Sequence, residues 1–276
     1  MKISTATSVF VNYSLNDAVD AVIEAGFAGI DLWCGRPHLY RHDHSPAALE
    51  GIRRKLEDAG VTPVSLMPAF FRYPYSLTSP NDVVRQDSID YVKDCIDNAL
   101  LLGSSQVLIV PTHSLNGQPV EDTRRRFLES LKCLCEYAEP VGMKLGIEMV
   151  YPRLSDVLSS SAEALSIMQT LGYSGLGVVL DSGHIHLSGE DLEQALSALG
   201  SSLLQVHVND NDGQTQQNAI PGEGSFDFDR LIHLLARNGY DGFLTLELGW
   251  NYSFDPLPAV SRAKDRVQGY LNGTAG

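Results

Sequence analysis

The sequence predicts a (β/α)8 TIM barrel. Short β-type runs alternate with longer helical patterns from one end of the chain to the other, and there are eight of each. The length, 276 residues, suits a barrel of roughly 250 residues built as one unit. A doubly wound open sheet would instead place a glycine-rich phosphate loop after the first strand, and "STATSVFVNYS" contains no GxGxxG.

The elements follow in order. "KISTAT" (2–7) is the first strand, and a helical pattern follows near 15–25. "GIDLW" (29–33) precedes a helix at 46–59, and "PVSLMP" (63–68) precedes one at 83–102. "QVLIVP" (106–111) leads to a helix at 121–141, and "KLGIEMV" (144–150) to one at 161–171. "LGVVLD" (176–181) is paired with a helix near 190–199, "LLQVHV" (203–208) with 227–238, and "FLTLEL" (243–248) with 256–271. Gly26, Gly60, Gly103, Gly142 and Gly172 stand just past five of these helices, where a residue that tolerates positive φ ends a helix.

The longest irregular pieces, 34–45, 68–82, 112–120, 209–226 and 249–255, all follow strands. In a barrel those loops build the active-site face. No linker or low-complexity stretch divides the chain, so a single domain over 1–276 is expected. The hydrophobic share of 43% and the charged share of 20% are those of a globular protein with a true core. The opening residues lack an apolar leader, and no run approaches the roughly 18 apolar residues of a membrane helix. A soluble, cytoplasmic protein is expected. The net charge of −14 speaks against nucleic acid and anionic membranes as partners, since both require cationic surface. Cys34, Cys95, Cys133 and Cys135 form no CxxC pair and read as reduced thiols.

The strand ends carry the chemistry. The fifth strand bears Glu148, the sixth ends in Asp181, the seventh bears His207 and the eighth Glu247. On a barrel these four consecutive strand ends converge on one side of the mouth. Carboxylates crowded in an apolar mouth repel each other unless a cation sits among them. An oxygen-rich set with one imidazole suits Mn²⁺, Mg²⁺ or Co²⁺ better than a thiolate-bound structural Zn²⁺. A single strand-end carboxylate serves as readily as the N-cap of the next helix, and a single buried histidine as a hydrogen-bonded core residue. Four in succession favour the metal site. His184, just beyond Asp181, reads either as a substrate contact or as a helix-start residue, and His113 either lines the pocket or caps a loop. His186 and His233 read as helix-surface residues. "PGEG" (221–224) reads as a tight turn whose N–H groups could face the pocket.

These residues resemble the xylose isomerase-like sugar isomerase and epimerase barrels, and within them the ketose 3-epimerases of the fructoselysine 3-epimerase type. Besides Glu148, Asp181, His207 and Glu247, the likeness rests on "LWCGRPH" (32–38), "YPY" (73–75), "CEYAEPVGM" (135–143), "DSGH" (181–184), "HVNDNDG" (207–213) and "IPGEG" (220–224), in that order along the chain. The resemblance implies one divalent metal ion, with Mn²⁺ expected and Co²⁺, Mg²⁺, Ni²⁺ or Zn²⁺ as alternatives. It implies a small-molecule sugar substrate, epimerised at C3 through an enediolate, with Glu148 and Glu247 as the acid/base pair. Asp181 and His207 would complete the metal site. His184, His113, Arg36, Trp33 and Glu223 are the expected substrate contacts, and association into a homo-oligomer is compatible with it.

The chain also departs from the family pattern. Many such epimerases place a further Glu six residues after the first metal Glu, where this chain has Leu154. Some carry a substrate-binding Arg in the loop after the seventh strand, and "NDNDGQTQQNA" has none. No Lys or Arg occurs between Leu154 and Asp229, which disfavours a sugar phosphate, because barrels usually bind phosphate near strands seven and eight. Arg36, Arg72 and Arg153 remain on other mouth loops. Arg36 reads either as a clamp for a substrate carboxylate or as half of a surface ion pair. Trp33 and "FFRYPY" (70–75) offer aromatic surface to a sugar face or linker, or to barrel packing. The alternatives are an aldose–ketose isomerase, a polyol dehydratase of the inosose type and a non-catalytic sugar-binding protein. The apurinic-endonuclease branch of the fold needs extra histidines on early strands, which "LMP" at the third strand end does not supply.

Overall fold

The computed structural model describes residues 1–71 and 73–273. Its eight strands are β1 (Lys2–Ala6), β2 (Gly29–Trp33), β3 (Thr62–Met67), β4 (Gln106–Ile109), β5 (Lys144–Met149), β6 (Leu176–Asp181), β7 (Leu203–Val208) and β8 (Phe243–Leu246). Each pairs in parallel with its sequence neighbour, and β1 pairs with β8 to close the barrel. The helices are α1 (Leu15–Glu24), α2 (Pro46–Ala59), α3 (Asp82–Leu102), α4 (Val120–Ala138), α5 (Ser161–Leu171), α6 (Ser182–Ser188), α7 (Leu192–Leu199), α8 (Phe228–Arg237) and α9 (Pro256–Gly273). None of them is long and apolar enough to cross a membrane.

The local chemistry explains the boundaries. Ser45 accepts from the Ala48 N–H to start α2, Pro46 supplies the first-turn φ, and Gly60 ends the helix in the left-handed region at φ 68°. Several boundaries differ from the sequence expectation by a residue or two, and two of the differences bear on the site. The sixth crossover holds two helices, because the Asp181 carboxylate accepts from the His184 N–H at 2.8 Å and caps α6 directly at the strand end. β8 stops at Leu246, so Glu247 begins the loop, although its N–H still reaches the Val208 carbonyl at 3.2 Å.

Side chains alternate along a strand, so residues two apart share the barrel interior and stand roughly 7 Å apart along the strand. One interior level therefore holds Glu148, Asp181, His207 and Glu247. The level below holds Ser4, Asp31, Ser65, Gln106, Gln205 and Thr245, all buried. Asp31 is fully enclosed there and accepts from four side chains: Ser4 Oγ at 3.3 Å, Thr245 Oγ1 at 3.1 Å, Gln205 Nε2 at 2.6 Å, and Ser65 Oγ. Gln106 crosses the barrel to donate to Gln205 Oε1 at 2.7 Å. Glycine at 146 leaves the space for it, since a Cβ there would stand 2.7 Å from Val179 Cγ2 and 3.1 Å from Gln106 Nε2. This polar floor ties β1, β2, β3, β4, β7 and β8 together beneath the mouth.

Candidate metal centre and active site

The four strand-end residues come together. One potential ligand atom from each of Glu148, Asp181, His207 and Glu247 lies within 4.8 Å of the others. His207 is completely buried, and its Nδ1 stands 2.9 Å from Glu148 Oε1 and 3.0 Å from Glu247 Oε2. Asp181 offers Oδ1 to the His184 N–H and accepts from Asn209 Nδ2 at 2.6 Å on Oδ2. It is thus a helix cap and a member of the cluster at once. Glycine at 183 makes the approach of Asn209 possible, because a Cβ there would strike Asn209 Oδ1.

The electrostatics call for a cation. Burial pushes the Asp181 carboxyl up to about 6, and the charges of Glu247 and Glu148 add to that rise against His184 and His207. Burial opposes protonation of His207, but Glu148 and Glu247 outweigh it and hold the imidazole well above its ordinary value. Glu247 is lowered, because its hydrogen bond and charge interaction with His207, aided by His184, exceed the cost of its burial. A His207 that ligates a metal must be neutral, which leaves the three carboxylates with a summed charge of −3. A divalent ion offsets two of those charges, and the oxygen-rich donor set with one imidazole fits a hard or borderline cation.

A cavity of about 380 Å³ opens above the cluster. Glu148, Glu247, His184 and Trp33 line it. His184 stacks on Tyr151 with ring centroids 5.6 Å apart, and its buried Nδ1 has no hydrogen-bond partner. Three other residues expected at the substrate do not line the cavity. Arg36 makes a two-pronged ion pair with Asp43 at 2.6 and 2.9 Å and lies over the Tyr40 ring, so the ion-pair reading describes it. His113 is half-exposed, with Nδ1 3.6 Å from Asp156. Glu223 turns away to Arg262 and the Tyr252 hydroxyl. Arg72 lies outside the described residues.

The "PGEG" turn is occupied differently from the expectation. Its Gly222 and Gly224 N–H groups donate to the buried Asp210 carboxylate, both at 2.8 Å, and do not face the pocket. Asp210 also accepts from the Asn211 and Phe226 N–H groups, and its backbone pairs with Ala219. This clamp folds the loop after β7 back so that Gln216, Gln217 and Asn218 line the cavity. Sequence reasoning did not single out those amides or the Asp31 floor. A carboxylate in the middle of "GIDLW" was the available sign of the floor, and nothing in "GQTQQNA" marked which residues would face inward.

A family model described as the xylose isomerase-like TIM barrel matches residues 19–268. The chain is 28% identical over 248 residues to a fructoselysine 3-epimerase of Shigella flexneri, covering 90% of each. Among solved structures it superposes on a D-tagatose 3-epimerase-like protein with a TM-score of 0.85 at 24% identity, covering 100% of this chain and 98% of that one. It also matches a protein called IolI, solved with a zinc atom, with a TM-score of 0.84 at 22% identity and 99% coverage of both chains.

Proposed function

Because the chain belongs to the xylose isomerase-like TIM barrel family, we propose that it is a divalent-metal-dependent sugar epimerase that inverts C3 of a non-phosphorylated ketose or ketosamine. The kinship with sugar epimerases and isomerases supports an enzyme of that class. One observation carries the finer reading. Glu148 and Glu247 enter a single pocket from strand ends that are separated by β6 and β7, with His207 held between them. Inversion at a carbon requires a base on one face and an acid on the other. Two residues of the same kind suit a reaction that runs both ways, since each takes the other's role in the reverse direction.

In this reading Glu148, Asp181, His207 and Glu247 hold the metal. A bound divalent ion supplies Lewis-acid stabilisation of the negative charge that develops on the substrate oxygens. One glutamate removes the C3 proton, and the other returns a proton to the opposite face of the enediolate. Asn209 and the His184 N–H fix the Asp181 carboxylate. His184 offers its unpartnered Nδ1 to a substrate oxygen, and Trp33 forms an apolar wall.

Proton exchange tests the proposal. The Mn²⁺-loaded protein is incubated in D₂O with fructoselysine, psicose, fructose and tagatose and followed by NMR. Deuterium at C3 together with the epimeric ketose is expected. Label at C1 or C2 with an aldose product would replace epimerisation by isomerisation, and loss of water would make the reaction a dehydration.

A further inference from the structure

The outer part of the cavity is not used by the C3 chemistry. Two kinds of side chain line it. Phe71 and Trp250 are large aromatic residues left 52% and 43% exposed, and Gln216, Gln217, Asn218 and Asn251 are neutral amides. The amide rim is a built feature. Asp210 clamps the loop from below, Asn218 adopts φ 45°, its side chain donates to the Glu247 carbonyl at 3.3 Å, and its own carbonyl accepts from the Gly249 N–H at 2.8 Å. The loop is therefore fastened to the strand end that carries one of the two glutamates.

The charge pattern narrows what this rim can hold. Among the described lining residues there is no Lys or Arg, and the only carboxylates are Glu148 and Glu247. A phosphate or a carboxylate set among these described side chains would lose water without gaining a counter-charge from them. A sugar ring has complementary properties. Its hydroxyls both donate and accept, as an amide side chain does, and its C–H faces lie against aromatic surface. Aromatic residues exposed at the rim of a concave site mark a binding groove.

We propose that this mouth is a subsite for an uncharged glycosyl unit, and that the substrate is a glycosylated ketose whose ketose end reaches Glu148 and Glu247. The assignment of the ketose end rests on the C3-epimerase reading. It separates this chain from a relative named for a sugar bearing an amino acid.

The test compares 1-O-, 4-O- and 6-O-glucosyl fructose with fructose, fructose 6-phosphate and fructoselysine on the Mn²⁺-loaded protein. At least one glucosyl fructose is expected to show a kcat/KM tenfold or more above that of fructose, mainly through KM. Trp250→Ala and Gln217→Ala should each lower kcat/KM for that substrate at least fivefold more than for fructose. Gln217 is exposed, so its variant serves if the tryptophan variant does not fold. Equal use of fructose and every glucosyl fructose, or preference for fructose 6-phosphate or fructoselysine, overturns the proposal. If no ketose exchanges its C3 proton, the epimerase reading fails. Calorimetric affinities for the same compounds then decide the subsite alone, with tighter binding of a glucosyl fructose expected and no difference from fructose overturning it.

Discussion

Asp31 and Asp181 are both buried inside the same barrel, one interior level apart, and the two levels accommodate a carboxylate in different ways. Around Asp31 the floor supplies four neutral donors from β1, β3, β7 and β8, which match the roughly four acceptor sites of a carboxylate. Around Asp181, Glu148 and Glu247 the donors are fewer than the acceptors, and a single imidazole nitrogen is shared by the two glutamates. The floor is satisfied by the protein alone. The upper level leaves carboxylate oxygens short of donors, and a cation fits that arrangement. The comparison teaches that burial of a carboxylate does not by itself mark a functional site. The informative sign is burial without enough donors.

The largest expected effect bears on what the upper level does. Glu148→Gln and Glu247→Gln each remove a proton carrier while keeping the shape, and kcat should fall by about 10²–10⁴ in either variant, the usual range for acid–base catalysis. Turnover near the wild-type rate in one of them would break the two-base mechanism.

Metal dependence is the next test. At a Mn²⁺ concentration about 100 times its Kd, the ion should stabilise the folded protein by about 2.7 kcal/mol, read as the difference in melting temperature with and without chelator. Asp181→Asn should abolish that difference and melt higher than wild type when both are metal-free, because it removes one of the crowded charges. A lower melting temperature for the metal-free variant would show that the three carboxylates were already balanced.

The smallest effect concerns the floor. Asp31→Asn should cost about 1–3 kcal/mol, the penalty for spoiling buried hydrogen bonds, and cost the same with and without metal. Burial raises the Asp31 pKa, and its hydrogen bonds and the charge of His207 only partly offset that. The folded state therefore binds the proton more tightly than the unfolded chain. Wild-type stability gains on the variant as pH falls through the raised value towards the ordinary 3.8. Denaturant melts of both proteins between neutral pH and pH 4 measure this, and a deficit that shrinks on acidification would contradict it.

The strands were legible because β-branched and apolar runs bounded by glycines follow local rules, and β2, β6 and β7 fall on the residues expected from "GIDLW", "LGVVLD" and "LLQVHV". The four members of the candidate metal cluster were legible for a related reason. Once the order of strands is known, barrel topology brings their C-terminal ends to one mouth, so Glu148, Asp181, His207 and Glu247 could be gathered without knowing a single distance. The expected substrate contacts were less legible. Arg36 lies in "GRPH", one of the stretches on which the family likeness was read, but whether a guanidinium meets substrate or the nearby Asp43 depends on the path of its loop.

The sequence by itself determined the barrel, the order of its elements and the acidic strand ends, because each of these depends on residue type and on spacing along a strand. The tertiary structure alone decided which charges are satisfied. Gln205 reaches Asp31 across 174 residues of chain and Thr245 reaches it across 214, and no local pattern encodes such pairs. It also decided that Gln216, Gln217 and Asn218 face the cavity while Glu223 does not, because that depends on how the Asp210 clamp folds the loop in three dimensions.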